Sequence, residues 1–261
     1  MKRTPIAVDI DAYPSQFRSL LRDAEIYDSS CSAEARVIFI DRDCGYFLKS
    51  ASKGKLKKEA ELTGFFHKKE LAANGLSYVS EEQDWLLTER VAGEDCTHRA
   101  YLENAERLCD VLAERLRLLH ETDLTGCPVP DRMSDYLATA RSNYVKGICD
   151  LSFFAADTAD VTPQDAWKEL CENGRLLKNE VLLHGDYCLP NIILDDWRFS
   201  GFIDLGNGGV GDRHVDLFWG AWTLAFNLKT DKYRERFFDA YGRDKIEPAL
   251  LKTVAAAEVF G

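Results

Sequence analysis

Two short apolar runs, Arg36 to Ile40 and Gly45 to Lys49, flank the polar stretch Asp41 to Cys44 and predict two strands joined by a hairpin turn, with Lys49 ending the second. Upstream, Phe17 to Glu25 has the spacing of a short amphipathic helix. Downstream, Leu56, Ala60, Leu62, Phe65 and Phe66 recur at helical intervals and predict a helix over Leu56 to Lys69. Tyr78 with Val79, and Trp85 to Thr88, read as further strands before a break at Ala92 and Gly93. The first 90 residues therefore read as a small sheet with one helix.

From Arg99 the period changes. Leu102, Leu108, Leu112, Leu116 and Leu119 fall largely on one face of a helix predicted over Tyr101 to Glu121, which Pro128 and Pro130 close off. Helices are expected over Asp135 to Asp150, over Pro163 to Glu172, and from Val215 to the end. Between them lie three short strands, Val181 to Leu183, Asn191 to Leu194 and Phe199 to Ile203. The pattern predicts an α+β fold divided into residues 1–90 and 96–261, with a hinge at about 89–95.

The chain has 261 residues, 46% of them apolar with 14 Phe and 5 Trp, enough for a substantial core. Its 44 acidic and 33 basic residues give a net charge of −11, which argues against nucleic acid and suits a cationic small-molecule substrate. Eight cysteines without a C-x-x-C pair fit a reducing cytoplasm. No apolar run is long enough to span a membrane, so a soluble monomer or weak dimer is expected.

The densest chemistry lies at His184, Gly185 and Asp186, with Asn191 five positions after the aspartate and Asp204 ending an apolar strand. This set matches what phosphoryl transfer requires. One carboxylate (Asp186) accepts the substrate proton, while an amide and a second carboxylate (Asn191, Asp204) supply hard oxygen ligands for Mg²⁺. Lys49 suits nucleotide phosphates, and Glu59 on the following helix can orient it. Gly206 to Gly211 satisfies G-x-G-x-x-G literally but comes too late to open a βαβ unit, so a flexible loop after Asp204 is expected instead. His184, His120 and His214 with nearby aspartates would suit a metallohydrolase, but no H-x-H or H-E-x-x-H pair supports that. A satisfied structural role is the default for His120.

These motifs, with Gly209 to Arg213, Asp216 and the stretch Leu119 to Asp123, resemble the aminoglycoside phosphotransferase family, most closely its 3'-phosphotransferases. The resemblance implies a bilobal protein-kinase-like fold with a five-stranded amino-terminal lobe and a mainly helical carboxyl-terminal lobe. It implies ATP, or GTP, as donor, Mg²⁺, and transfer to a hydroxyl of an aminoglycoside. By the same carry-over Phe47 packs on the base, Glu89 to Val91 is the hinge that receives it, and Ser30 lies in the loop over the phosphates. On the substrate side the chain departs from the pattern. Trp222 and Phe226 stand where the family carries an arginine and a glutamate, which keeps open another hydroxylated metabolite such as choline or an amino sugar. Glu258 is a candidate ammonium contact, and Asp150, Asp157 and Asp160 are weaker ones.

Overall fold

The computed structural model describes residues 3–31, 34–153 and 162–261. In chain order the strands are β1 (Thr4–Pro5), β2 (Glu25–Asp28), β3 (Ala35–Asp41), β4 (Tyr46–Ser52), β5 (Gly75–Ser80), β6 (Gln83–Glu89), β7 (Glu94–Asp95), β8 (Val181–Leu183), β9 (Ile192–Asp195), β10 (Arg198–Phe202) and β11 (Gly209–Gly211). The α-helices are α1 (Ser15–Leu21), α2 (Lys57–Lys68), α3 (Arg99–Leu102), α4 (Ala105–His120), α5 (Arg132–Lys146), α6 (Pro163–Asn173), α7 (Arg213–Leu228), α8 (Arg234–Tyr241) and α9 (Pro248–Glu258). The chain divides into two compact units.

The first unit comprises the residues up to Asp95 together with Ile192–Gly206. Its main sheet has the order β1-β2-β3-β4-β6-β5, with every neighbouring pair antiparallel. One face carries the core of Phe17, Leu21, Ile38, Ile40, Leu48 and Trp85, closed by α1. Ala51 and Leu86 pack with Leu56 at the start of α2. The sequence ended the second strand at Lys49, whereas β4 runs on to Ser52 because Ser50, Ala51 and Ser52 pair with Trp85, Asp84 and Gln83. Lys49 is thus interior to a central strand, where both neighbours restrain its backbone. The expected helix over Phe17 to Glu25 stops at Leu21. Asp23 adopts φ 61°, and Glu25 begins a strand that pairs with β3.

The expected boundary was contiguous, but residues 192–206 belong with the first unit. β9 pairs with both β10 and β7, and Phe202 donates its amide to the Leu71 carbonyl at 2.8 Å while its ring meets Phe66 edge-on. Gly93 makes this pairing possible, since at φ 102° a Cβ would collide with the Leu194 carbonyl.

The second unit comprises Cys96–Asn191 and Asn207–Gly261. Leu108, Leu112, Ala113, Leu116 and Leu119 of α4 are all fully buried, as their spacing predicts. The single helix expected over Tyr101 to Glu121 is broken at Glu103 and Asn104 into α3 and α4. α5 starts at Arg132 rather than Asp135 because Asp131 caps it by accepting the Ser134 amide, and Gly147 at φ 70° ends it. The carboxyl-terminal helical region is three helices, interrupted after Lys229 (φ 55°) and at Gly242 (φ 121°).

Candidate active site

In the first unit, Lys49 Nζ sits 3.0 and 2.8 Å from the two carboxylate oxygens of Glu59 and 2.8 Å from Asp204 Oδ1. The Lys49 and Glu59 side chains are largely buried, while Asp204 is half exposed. Burial pulls the Lys49 ammonium down, but the charges of Glu59 and Asp204 outweigh it and leave the group raised and firmly protonated. The start of α2, and so the position of Glu59, is held by a residue the sequence did not single out. Asp84, buried in β6, accepts the Leu56 amide at 2.9 Å and the Ser80 hydroxyl at 2.7 Å. Asp204 adopts φ 58°, a left-handed conformation that aspartate tolerates better than most residues.

In the second unit, β8 feeds directly into the loop that carries His184, Gly185 and Asp186. Asn191 donates both amide hydrogens to Asp186, to the main-chain oxygen at 3.0 Å and to Oδ2 at 2.8 Å, which leaves its Oδ1 for a cation. The loop is fixed from behind by Asp216. This fully buried carboxylate accepts the His184 and Gly185 amides at 2.8 Å each and meets His120 Nε2 at 3.3 Å. His120 Nδ1 is 2.7 Å from the Tyr241 hydroxyl, and burial holds the ring below its ordinary pKa against the opposing pull of Asp216. His184 is itself buried and accepts the Asp186 amide at its Nδ1. Gly185 stands at φ 82°, where a Cβ would strike the Asn207 carbonyl, so only glycine fits between the histidine and the aspartate.

The sequence profile described as "Phosphotransferase enzyme family" matches residues 30–251. The chain belongs to the phosphotransferase enzyme family. A probable aminoglycoside 3'-phosphotransferase of Lactococcus lactis subsp. lactis strain IL1403 is 50% identical over 258 residues, 98% of each chain. An aminoglycoside 3'-phosphotransferase of Niallia circulans is 31% identical over 172 residues, 65% of each chain. Among solved structures, an aminoglycoside 3'-phosphotransferase of type VIII superposes with a TM-score of 0.74 at 23% identity, covering 99% of this chain and 94% of that one. An aminoglycoside phosphotransferase of Streptomyces rimosus, solved with ADP and streptomycin, gives 0.70 at 22% identity over 89% and 92%. The structural likenesses identify the fold, which is that of the kinase-like aminoglycoside phosphotransferases.

The remaining predicted positions of this phosphotransferase fall as follows. Phe47 lies on the same side of β4 as Lys49, with its ring centroid 5.1 Å from that of Phe39. Glu89 ends β6 and donates its amide to the Asn74 carbonyl, while Val91 follows two residues on. Ser30 ties the β2–β3 connection together, its hydroxyl donating to Asp28 at 2.7 Å and accepting the Val37 amide at 3.0 Å. Asp150 caps the turn after α5 by accepting the Ser152 amide at 2.9 Å. Asp157 and Asp160 lie outside the described residues.

Glu258 is not a loose surface anchor. It is 7% exposed and its Oε1 accepts the Tyr136 hydroxyl at 2.7 Å and the Trp219 indole N–H at 3.1 Å. Burial pushes its carboxyl up to about 7, against the pull of these donors and of Arg132, with the charge of Asp186 pushing the same way as burial.

One expectation changes, and one alternative loses its structural basis. Gly209–Gly211 is a buried strand paired with β8 rather than a flexible loop, and a Cβ at Gly209 would strike Val129, while one at Gly211 would strike Leu183 and Met133. Trp222 and Phe226 do not form an ammonium cage. Their rings stack 4.9 Å apart at 12°, too close to admit a cation, and Lys229 Nζ already lies 4.3 Å from the Phe226 centroid. Among the described residues no group of three or more His, Cys, Asp or Glu is placed to hold a metal ion. Asn191 Oδ1 in the second unit and the Asp204 carboxylate in the first are each hard oxygen donors of the type that Mg²⁺ takes.

Proposed function

We propose that this phosphotransferase transfers the γ-phosphoryl group of ATP to a hydroxyl of an aminoglycoside, the 3'-hydroxyl by analogy with the Lactococcus lactis relative. The observation that carries the reading is Asp186 hydrogen-bonded by Asn191 in a loop pinned through two amides to Asp216. A carboxylate so held presents Oδ1 to a substrate hydroxyl without competing for donors. As the substrate oxygen bonds to the γ-phosphorus and the bond to the β–γ bridging oxygen breaks, the hydroxyl proton passes to Asp186. Lys49 binds phosphate oxygens, and Glu59 keeps its ammonium aimed and charged. The Glu89 carbonyl and Val91 amide are assigned to the base, Phe47 to its face and Ser30 to the loop over the phosphates. Asn191 and Asp204 would hold Mg²⁺, which neutralises charge on the phosphates when bound. Glu258, whose charge reaches Asp186, is assigned to a substrate ammonium.

Because the stacked Trp222 and Phe226 leave no cage, choline is not favoured as an acceptor. A coupled ADP-release assay with kanamycin, neomycin and choline tests the assignment. Turnover is expected with the first two, and Asp186→Ala should lower kcat by about 10²–10⁴-fold while nucleotide binding persists. Turnover of choline with none of either antibiotic would end the aminoglycoside reading, and an active Asp186→Ala would remove the base.

A further inference from the structure

Asp216 has a contact beyond the two loop amides that it accepts. Its Oδ2 takes the His184 amide and also lies 3.3 Å from His120 Nε2, so the contact attracts only if that nitrogen carries a hydrogen. His120 ends α4, and its other nitrogen, Nδ1, is 2.7 Å from the hydroxyl of Tyr241 at the end of α8. The two rings meet nearly edge to face, with centroids 5.6 Å apart at 80°. All of these groups belong to the second unit.

The donors along this line fix the position of each hydrogen. Arg213, in the first turn of α7, can only donate; its Nε is 2.8 Å from Glu180 Oε1 and its Nη1 is 3.4 Å from the Tyr241 oxygen. The Tyr241 oxygen therefore accepts from Arg213. Burial pushes the Tyr241 phenol up to about 12, so it keeps its own proton and directs it to His120 Nδ1. Burial also holds His120 below its ordinary pKa, which favours a neutral ring with a single N–H. With Nδ1 taken up as an acceptor, that hydrogen sits on Nε2 and is donated to Asp216 Oδ2. In the other tautomer a lone pair would face the carboxylate, and the Tyr241 hydrogen would lose its acceptor.

We infer that Tyr241 is a positioning residue for the Asp186 loop: by donating to His120 Nδ1 it holds the Nε2–H tautomer, whose hydrogen keeps Asp216 Oδ2 in place to accept the His184 amide. The polar line runs from the exposed Glu180, through Arg213, Tyr241, His120 and Asp216, to the main chain that leads into Asp186. Without the Tyr241 hydroxyl the ring is free to turn a lone pair toward the carboxylate, and the hold on His184 and Gly185 loosens. The inference rests on the reading of Asp186 as the base only for its effect on turnover. The tautomer and the loop amides are measured without substrate.

The test uses the full-length protein labelled with nitrogen-15. Long-range proton–nitrogen NMR correlation at neutral pH is expected to show His120 Nδ1 bare and Nε2 protonated. Tyr241→Phe keeps the ring against His120 and removes only the hydroxyl. It should speed hydrogen exchange of the His184 and Gly185 amides by about 10-fold relative to the Leu116 amide of α4, as the loss of one buried partner predicts. His120→Gln offers Asp216 an amide N–H with no tautomer to choose, so in that background Tyr241→Phe should leave the two loop amides within about twofold. With kanamycin as acceptor, Tyr241→Phe should lower kcat about 10-fold with the KM for ATP unchanged, and His120→Gln should remove that sensitivity. His120 found with its hydrogen on Nδ1, or as the imidazolium, overturns the inference. Equal acceleration of the Leu116 amide, or an equal loss in the glutamine background, overturns it as well, because either makes Tyr241 a packing residue only. Should kanamycin not be turned over by the parent, the aminoglycoside reading fails, while the tautomer and the amide exchange still decide this one.

Discussion

At the scale of single residues, the loop at Asp186 depends on a side chain buried behind it. Asp216 accepts two successive main-chain amides, a pattern that only a carboxylate can satisfy with both oxygens. In Asp216→Asn one of those amides would face an NH₂ group, so a loss of about 1–3 kcal/mol in stability is expected. Urea unfolding measures it, and kcat should fall with little change in nucleotide affinity, because Lys49 and Glu59 belong to the other unit. Glu258 gives a prediction with a sign. Its folded pKa of about 7 lies above the ordinary 4.5, so its contribution to stability is fully present below about 4.5 and is lost as pH rises through about 7. Glu258→Gln can still accept from Tyr136 and Trp219 but cannot ionise. Its stability should match that of the parent near pH 4 and exceed it at pH 8, with a gain of about 3 kcal/mol read from urea unfolding. A difference that does not vary with pH would remove Glu258 as a raised carboxyl.

At the scale of elements, the short β8–β11 pair is what presents the Asp186 loop on one side and α7 on the other. β8 runs straight into His184, and β11 leads through Asp212 into the helix that carries Asp216. Its register brings Gly211 opposite Val181, with Leu183 and Met133 packed where a side chain would stand. Gly211→Ala should therefore destabilise the protein by about 1–3 kcal/mol through overpacking, measured as a shift in the urea midpoint without a change in slope. The amphipathic pattern of α4 was readable from its leucines, whereas the break that separates α3 from it was not. That break lies in polar residues, Glu103 and Asn104, which carry no periodic signal of their own.

At the scale of the whole molecule, the net charge of −11 bears on association more than on fold. A polycationic acceptor should be attracted over distances that salt shortens. Raising NaCl from about 0.05 to about 0.5 M should raise KM for kanamycin while leaving kcat nearly constant. An unchanged KM would assign binding to short-range contacts alone. The chain also crosses between its two units more than once, because residues 192–206 return to the unit that begins at the amino terminus. Asn191 and Asp204, 13 positions apart in sequence, consequently belong to different units.

Sequence alone singled out Lys49, Glu59, Asp186, Asn191 and Asp204, because residue type and spacing reflect the chemistry proposed for them. It also determined most helices and strands, whose apolar periods follow from backbone geometry. Tertiary structure alone decided the rest. β2 and the end of β4 exist because neighbouring strands take up their amides and carbonyls, and Gly209–Gly211 is a buried strand because β8 lies beside it. The hold of Asp84 on the Leu56 amide, that of Asp216 on the His184 amide and the contact of Glu258 with Tyr136 span between 28 and 122 positions in the chain, a distance over which local pattern carries no information.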